Sequence, residues 1–295
     1  MFKDYYSLTK SGLVYGNLIT VIGGFALGAA TIGDGINFLV LLATLIGISL
    51  VMASGCVFNN IIDRDIDARM DRTKDRALIT GKISANKANI FGAILGLLGF
   101  LILALFTNFI TLCVALFGFF AYVFLYSLWA KRRSIHGALV GSISGATPPV
   151  VGYAAASGHL NGGALILFLI LVCWQMPHFY AIAIRRAEDY AKGGIPVLPV
   201  KRGIRATKFA MLFYMSAFVV AASLLTVFGY EGYTYLAIVV ALGLIWFALC
   251  IKGFAISDKN ATNAAENQTW AKKMFFFSLI VMVTLFITIT IGAIV

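Results

Sequence analysis

Asn59, Asp63 and Asp67 recur at every fourth position of the stretch FNNIIDRDIDARMDRTKDR, residues 58–76, which follows a long, nearly uncharged run. If the preceding helix continues past Phe58, this spacing puts all three side chains on one face, with Asn60 beside them. Asp65 then points roughly the other way, and Arg64 projects about 100° off the face. Two carboxylates one turn apart repel unless something positive lies between them. A divalent cation suits that role: Mg²⁺ takes oxygen ligands, often one or two carboxylates plus substrate phosphates, and keeps some waters. Asn59, Asp63 and Asp67 are thus the candidate metal ligands. Arg69, Arg72, Lys74 and Arg76 follow them, and arginine suits bidentate binding of phosphate oxygens. The competing reading is a solvated helix end with ordinary surface ion pairs, its bases serving only to orient the chain in a membrane.

A second stretch, CWQMPHFYAIAIRRAEDYAKGGIPVLPV, covers residues 173–200. His178 lies roughly two turns before the charged boundary at Arg185, and a polar side chain inside an apolar run is a functional candidate. It is a proton carrier, a ligand or a packed histidine with one hydrogen bond. His136, just after KRRS, has the same choices; His159 reads as surface. Pro177 frees a backbone carbonyl and favours a kink. Beyond Arg185, Arg186, Glu188 and Asp189, the GGIPVLP segment stops the helix and predicts a fixed re-entrant or capping loop. Tyr122 and Tyr126 are one helical turn apart: they offer π-faces to a cation or form an interfacial aromatic belt. Pro148–Pro149 predicts a kink facing an internal cavity.

The elements that must position these residues follow from composition. Of 295 residues, 61% are hydrophobic and only 12% charged, and a chain with a mean hydropathy of +0.93 needs lipid as its solvent. A transmembrane helix needs about 20 mostly apolar residues. Nine such runs are present, near 13–32, 36–58, 88–106, 109–130, 135–156, 163–184, 209–228, 233–252 and 274–294. They are continuous rather than alternating, which argues against a β-barrel. The first is too long for a signal-peptide core and reads as a retained helix. The fold class expected is all-α and integral to the membrane. Cys56, Cys113, Cys173 and Cys250 fall inside the spans without CxxC spacing, so they read as small apolar fillers.

Every one of the 23 Lys and Arg residues lies in one alternate set of loops: 1–12, 59–87, 131–134, 185–208 and 252–273. The opposite set holds none and carries Asp34 and Glu231. The positive-inside rule therefore predicts a cytoplasmic N-terminus and, with nine spans, an outer C-terminus. The net charge of +11 is a topology signal, with attraction to anionic lipid, and calls for no nucleic acid. Two inner loops, 59–87 and 185–208, are long enough to suggest function. They follow the second and sixth spans, which predicts a duplicated four-helix unit plus a ninth helix, around a central cavity opening to the cytoplasmic side.

NNIIDRDIDARMDRTKDRALITGKIS resembles the first Asp-rich motif of the UbiA superfamily of intramembrane prenyltransferases, in the form found in its heme-modifying branch. WQMPHFYAIAIRRAEDYAKGGIPVLPV is similar to the second motif of the same branch. Asn59–Asn60 stands where many members have Asn-Asp, Arg185-x₃-Asp189 replaces a second Asp-x₃-Asp, and Ala77 replaces a common proline. The resemblance covers essentially the whole chain. It implies a Mg²⁺-dependent enzyme of the cytoplasmic membrane, with farnesyl diphosphate and heme B as substrates and hydroxyethylfarnesyl heme as product. A terminal oxidase or another heme-processing enzyme would take that product. Asn59, Asp63 and Asp67 then hold Mg²⁺, Asp189 assists, and Asn60, Arg69, Arg72, Arg76, Lys131 and Arg185 bind diphosphate. His178, His136, Arg132 and Arg133 are candidate heme contacts, with Lys131 or Arg185 as alternative partners of a heme propionate. Tyr122 and Tyr126 face an allylic cation. Rival expectations are a quinone-precursor or chlorophyll-like acceptor, a multi-span transporter and a structural oxidase subunit.

Overall fold

In the computed structural model, which describes residues 2–33, 35–257 and 261–294, every regular element is a helix. Asp34 lies outside the described residues. The helices are α1 (Phe2–Leu8), α2 (Ser11–Ile32), α3 (Phe38–Ile62), α4 (Arg64–Asp67), α5 (Ala85–Phe106), α6 (Phe109–Arg133), α7 (Gly137–Gly145), α8 (Thr147–Ser157), α9 (Gly162–Arg185), α10 (Ala187–Gly193), α11 (Leu198–Val227), α12 (Tyr233–Phe254) and α13 (Ala261–Gly292). Polar side chains start several of them. Asn37, Ser84, Asn108 and Asn161 each accept a hydrogen bond from a first-turn amide of α3, α5, α6 and α9, satisfying donors that have no intrahelical partner.

Eight of these helices, α2, α3, α5, α6, α9, α11, α12 and α13, are long and apolar enough to cross a membrane. The fifth predicted span, 135–156, is instead the pair α7 and α8, which meet at Ala146. Pro148 and Pro149 have no amide hydrogen to give Ser144 and Gly145, so one continuous helix cannot form there. Large apolar residues such as Leu97, Phe109 and Phe213 are exposed on the periphery, as lipid-facing positions would be.

Glycines set the tightest approaches. A Cβ on Gly24 would lie 2.0 Å from the Pro149 carbonyl oxygen, and one on Gly152 2.1 Å from that of Val21. Backbones of α2 and α8 thus touch directly, the small-residue mode of packing used inside membranes. Helices α3 and α5 repeat it, with Gly99 against the Gly47 carbonyl. The main core joins α8, α9, α11, α12 and α13 around Phe218, Tyr235, Trp246 and Phe286. Segments of α2, α3, α6, α7, α8, α9 and α13 enclose a largely apolar cavity of about 500 Å³. All four cysteines are free thiols.

Candidate active site

The chain does not unwind after α3. The Asp63 amide bonds to the Asn59 carbonyl at 2.9 Å and the Asp67 amide to that of Asp63 at 2.8 Å. The helical path therefore runs on into α4 and keeps Asn59, Asp63 and Asp67 on one face. They are only 2%, 1% and 2% exposed, with Asn60 at 3%, which a solvated helix end would not be. Burying carboxylates is costly unless each is paired and hydrogen-bonded, and the surrounding chain supplies the partners.

Asn59 donates through Nδ2 to Asp63 Oδ2 at 2.8 Å and to Ser127 Oγ at 2.9 Å. Its Oδ1 accepts from Lys10 Nζ at 2.5 Å. The Ser127 hydroxyl gives its proton to the Tyr122 carbonyl at 2.8 Å, so it acts as an acceptor towards Asn59 and fixes the orientation of that amide. Lys131 Nζ also donates to Asp63 Oδ2. Arg76 donates to Asp67 Oδ2 and, at 3.0 Å, to Asn60 Oδ1, while Asn60 Nδ2 reaches the Leu8 carbonyl at 2.9 Å. Both carboxylates of this face are thus met by bases of the chain as well as being open to a metal. Arg76 arrives because the loop folds back, and Lys10 and Lys131 come from distant segments. Lys131 and Ser127 are aligned by a π-helical stretch, Ala121–Ala130, inside α6. Such widened turns recur at functional sites.

Three bases, Lys10 on the Asn59 amide, Arg76 on Asp67 and Lys131 on Asp63, thus surround two carboxylates. Burial foremost pushes the Lys10 pKa down to about 8, because an ammonium is penalised away from water. A further anion would be welcome beside these groups. The cluster also suits a metal ion. Among the described residues no group of three or more His, Cys, Asp or Glu side chains forms a protein-only cage. The donors here are two carboxylates and an amide, all oxygen, which matches Mg²⁺ completed by water and phosphate oxygens. Asp63 Oδ1 is buried without a hydrogen-bond partner, and a polar atom in that state points to a missing ligand.

The second charged loop docks on the first. Ile66 and Met70 pack with Ile195, Lys192 bonds to Asp71 at 2.5 Å, and the Arg72 guanidinium lies 5.8 Å from the Tyr190 ring centre. Gly194 makes the return possible with φ 72°. Asp189 pairs with Arg186 at 3.9 Å and makes no bond to the Asn59–Asp63–Asp67 face. Arg69 lies 3.9 Å from Asp65, and Lys74 3.4 Å from Asp71. Arg132 holds Asp65 with bonds of 2.6 and 2.9 Å and lowers the pKa of that carboxyl. Arg133 and His136 are exposed and do not line the cavity; His159 is likewise exposed.

The cavity approaches the charged rim directly. Gly55, Cys56 and Tyr122 line it, and Cys56 lies one turn before Asn59 on α3. Tyr126 stacks on Tyr122 with centroids 5.9 Å apart but is not part of the lining. Pro148 and His178 also belong to the lining. The Arg185 guanidinium sits 5.4 Å from the Phe275 ring centre. Lys10, Ser127 and the Leu8 carbonyl are members of the site that local sequence spacing does not identify.

Residues 17–280 match the UbiA prenyltransferase family. The protoheme IX farnesyltransferase of Chromohalobacter salexigens is 50% identical, over 99% of this chain and 95% of its own. That of Sodalis glossinidius is 48% identical, over 95% and 91%. Among solved structures, a digeranylgeranylglyceryl phosphate synthase superposes with a TM-score of 0.75 at 22% identity, covering 99% of this chain and 98% of that one. A UbiA homologue from Archaeoglobus fulgidus bound to GPP and Mg²⁺ superposes with a TM-score of 0.70 at 17% identity, covering 95% and 99%. These solved structures establish the shared fold. The chain is an integral membrane protein and belongs to the UbiA prenyltransferase family.

Proposed function

We propose that this protein transfers the farnesyl group of farnesyl diphosphate to a vinyl group of heme B, with addition of water, giving hydroxyethylfarnesyl heme and diphosphate. The observation that carries this reading is the buried Asn59–Asp63–Asp67 face beside a 500 Å³ apolar cavity. A charged headgroup and a lipid-soluble chain need those two environments side by side. The curated names of the relatives support heme as the acceptor, and the Mg²⁺–GPP complex of a fold neighbour supports a metal.

Asn59, Asp63 and Asp67 would hold Mg²⁺, with Asp189 assisting from the second loop. Bound there, the ion supplies Lewis-acid stabilisation of charge on the departing diphosphate. Lys131, Arg76, Lys10 and the exposed bases Arg69 and Arg72 contribute positive charge at the same rim, where charge develops as the C1–O bond breaks. The electron pair of that bond leaves with the diphosphate. The vinyl π-electrons form the new C–C bond to farnesyl C1, and water adds to the resulting cation with loss of a proton. Tyr122 presents its ring to the cationic carbon, and the apolar walls keep bulk water from quenching it early.

The same reading assigns nine crossings, with α7 and α8 together forming the fifth, in the cytoplasmic membrane. The N-terminus and both charged loops face the cytoplasm, where the cavity opens, and the C-terminus lies outside. A terminal oxidase or a further heme-modifying enzyme consumes the product. Incubating the purified protein with Mg²⁺, farnesyl diphosphate and heme B should give a farnesylated, hydrated porphyrin by mass spectrometry. Turnover of a quinone precursor or a chlorophyll-like acceptor with none of heme B would overturn the acceptor assignment, and substrate uptake into liposomes without any product would overturn the enzyme.

A further inference from the structure

His178 is held in one pose. Trp174 stacks on its ring with centroids 4.9 Å apart at 24°, and Phe275 tilts against it at 4.8 Å and 33°. Its Nδ1 lies 2.7 Å from Ser278 Oγ. The single hydroxyl proton of Ser278 is committed to the Phe275 carbonyl at 2.6 Å, so towards His178 the serine oxygen acts as an acceptor. Nδ1 therefore carries the imidazole proton, and the lone pair of the neutral ring is on Nε2. No hydrogen bond among the described residues engages Nε2, and the residue lines the apolar cavity. Ser278 is fully buried on α13, which keeps water from competing for Nδ1.

A neutral imidazole whose one N–H is tied to a fixed acceptor, leaving the other nitrogen's lone pair free, is the arrangement of a metal-ligating histidine. The donor is a borderline nitrogen that suits iron, and the space around it takes a large apolar molecule. We propose that His178 Nε2 is an axial ligand of the iron of the substrate porphyrin, and that Ser278 is the positioning residue that fixes its tautomer. This rests on heme as the acceptor and adds how the acceptor is held: the iron is anchored from α9, in the same cavity that Tyr122 and Cys56 line.

The test uses the purified full-length protein in detergent, titrated with ferric heme B in the absence of farnesyl diphosphate and followed by electronic absorption and electron paramagnetic resonance. The wild type should show an imidazole-ligated spectrum. His178→Ala should lose it and bind heme at least about 10-fold more weakly, and added imidazole should restore it. Ser278→Ala should weaken heme binding by about 10-fold or more with a changed spectrum, whereas Ser278→Thr keeps both. Farnesyl diphosphate affinity should stay unchanged throughout, showing that the variants are folded. A wild-type spectrum and affinity in His178→Ala overturns the ligand assignment while leaving the transferase reading intact. Behaviour of Ser278→Ala identical to wild type overturns the positioning role. A wild-type protein that binds no heme but turns over another acceptor overturns the ligand assignment and the heme reading together.

Discussion

Lys131 and Asp63 are 68 residues apart in the chain, yet the lysine ammonium donates to Asp63 Oδ2 in a pair that is almost wholly buried. Asp63 Oδ1 is left without a partner. The pair accounts for one oxygen and leaves the other for an electrophile. Asp63→Asn and Asp67→Asn should each lower turnover by at least about 100-fold, or ~2.7 kcal/mol. Mg²⁺ that binds only the folded protein also raises its melting temperature by mass action, so Mg²⁺ should stabilise the wild type and fail to stabilise either variant. Turnover within a few-fold of wild type would remove the metal assignment.

How much of this was legible in the chain depends on sequence distance. Asn59, Asp63 and Asp67 could be put on one face because helix period is a local property, and backbone bonds across Ile62 and α4 preserve that period. The bases that neutralise them could not. Arg76 depends on the fold-back of a loop, Lys131 on a π-helical turn in α6, and Lys10 on how the first segment packs. Arg76 and Lys131 were readable as phosphate or topology charges but not as partners of Asp67 and Asp63, and Lys10 only as a topology charge. Ser278 was invisible for the same reason, being 100 residues from His178. The span count was legible except at Pro148–Pro149, where hydropathy continued but the backbone bonds did not.

Direct backbone contact between α2 and α8 makes its own prediction. Gly24→Ala or Gly152→Ala would place a methyl about 2 Å from a carbonyl oxygen of the facing helix, and no side-chain rotation relieves a clash with backbone. Overpacking of this kind costs roughly 1–3 kcal/mol or more. Both variants should melt clearly below wild type in detergent. Gly232→Ala, with nothing within 4 Å of the new methyl and φ −81°, should melt within about 0.5 kcal/mol of it. Equal melting of all three would show that the two helices are not closely apposed.

Glu231, in the turn between α11 and α12, is 8% exposed and its Oε1 has no hydrogen-bond partner. Burial raises its pKa to about 7. The folded state therefore holds this proton more tightly than the unfolded chain, where the carboxyl titrates near 4.3. Between those values stability must fall as pH rises, and the full cost is present above 7. Glu231→Gln removes the ionisable group. Its stability advantage over wild type should be small at pH 5 and grow by roughly 2 kcal/mol by pH 8. Melting curves at the two pH values check this, and an advantage independent of pH would mean that the carboxylate is solvated.

Lys10 is the one non-glycine among the described residues with positive φ, at 48°, a conformation that costs an ordinary residue about 1–2 kcal/mol. Its neighbours hold it there. Leu8 is buried among Val57, Ala77, Leu78, Ile83 and Ala88, and Asn60 ties down the Leu8 carbonyl at 2.9 Å. The strained turn delivers the ammonium to Asn59 Oδ1, at the edge of the proposed diphosphate site. A residue kept strained to place a charge should matter through that charge. Lys10→Met should therefore lower kcat/KM for farnesyl diphosphate about 10-fold, equivalent to ~1.4 kcal/mol, mainly through KM, with heme affinity unchanged. Lys10→Arg should retain most of the activity. Lys10→Gly removes both charge and strain, so it should melt no lower than Lys10→Met while sharing its kinetic loss. Steady-state kinetics on the three variants separate the contributions: wild-type KM in Lys10→Met would mean that the ammonium only fastens the N-terminal segment to α3 and never meets the diphosphate.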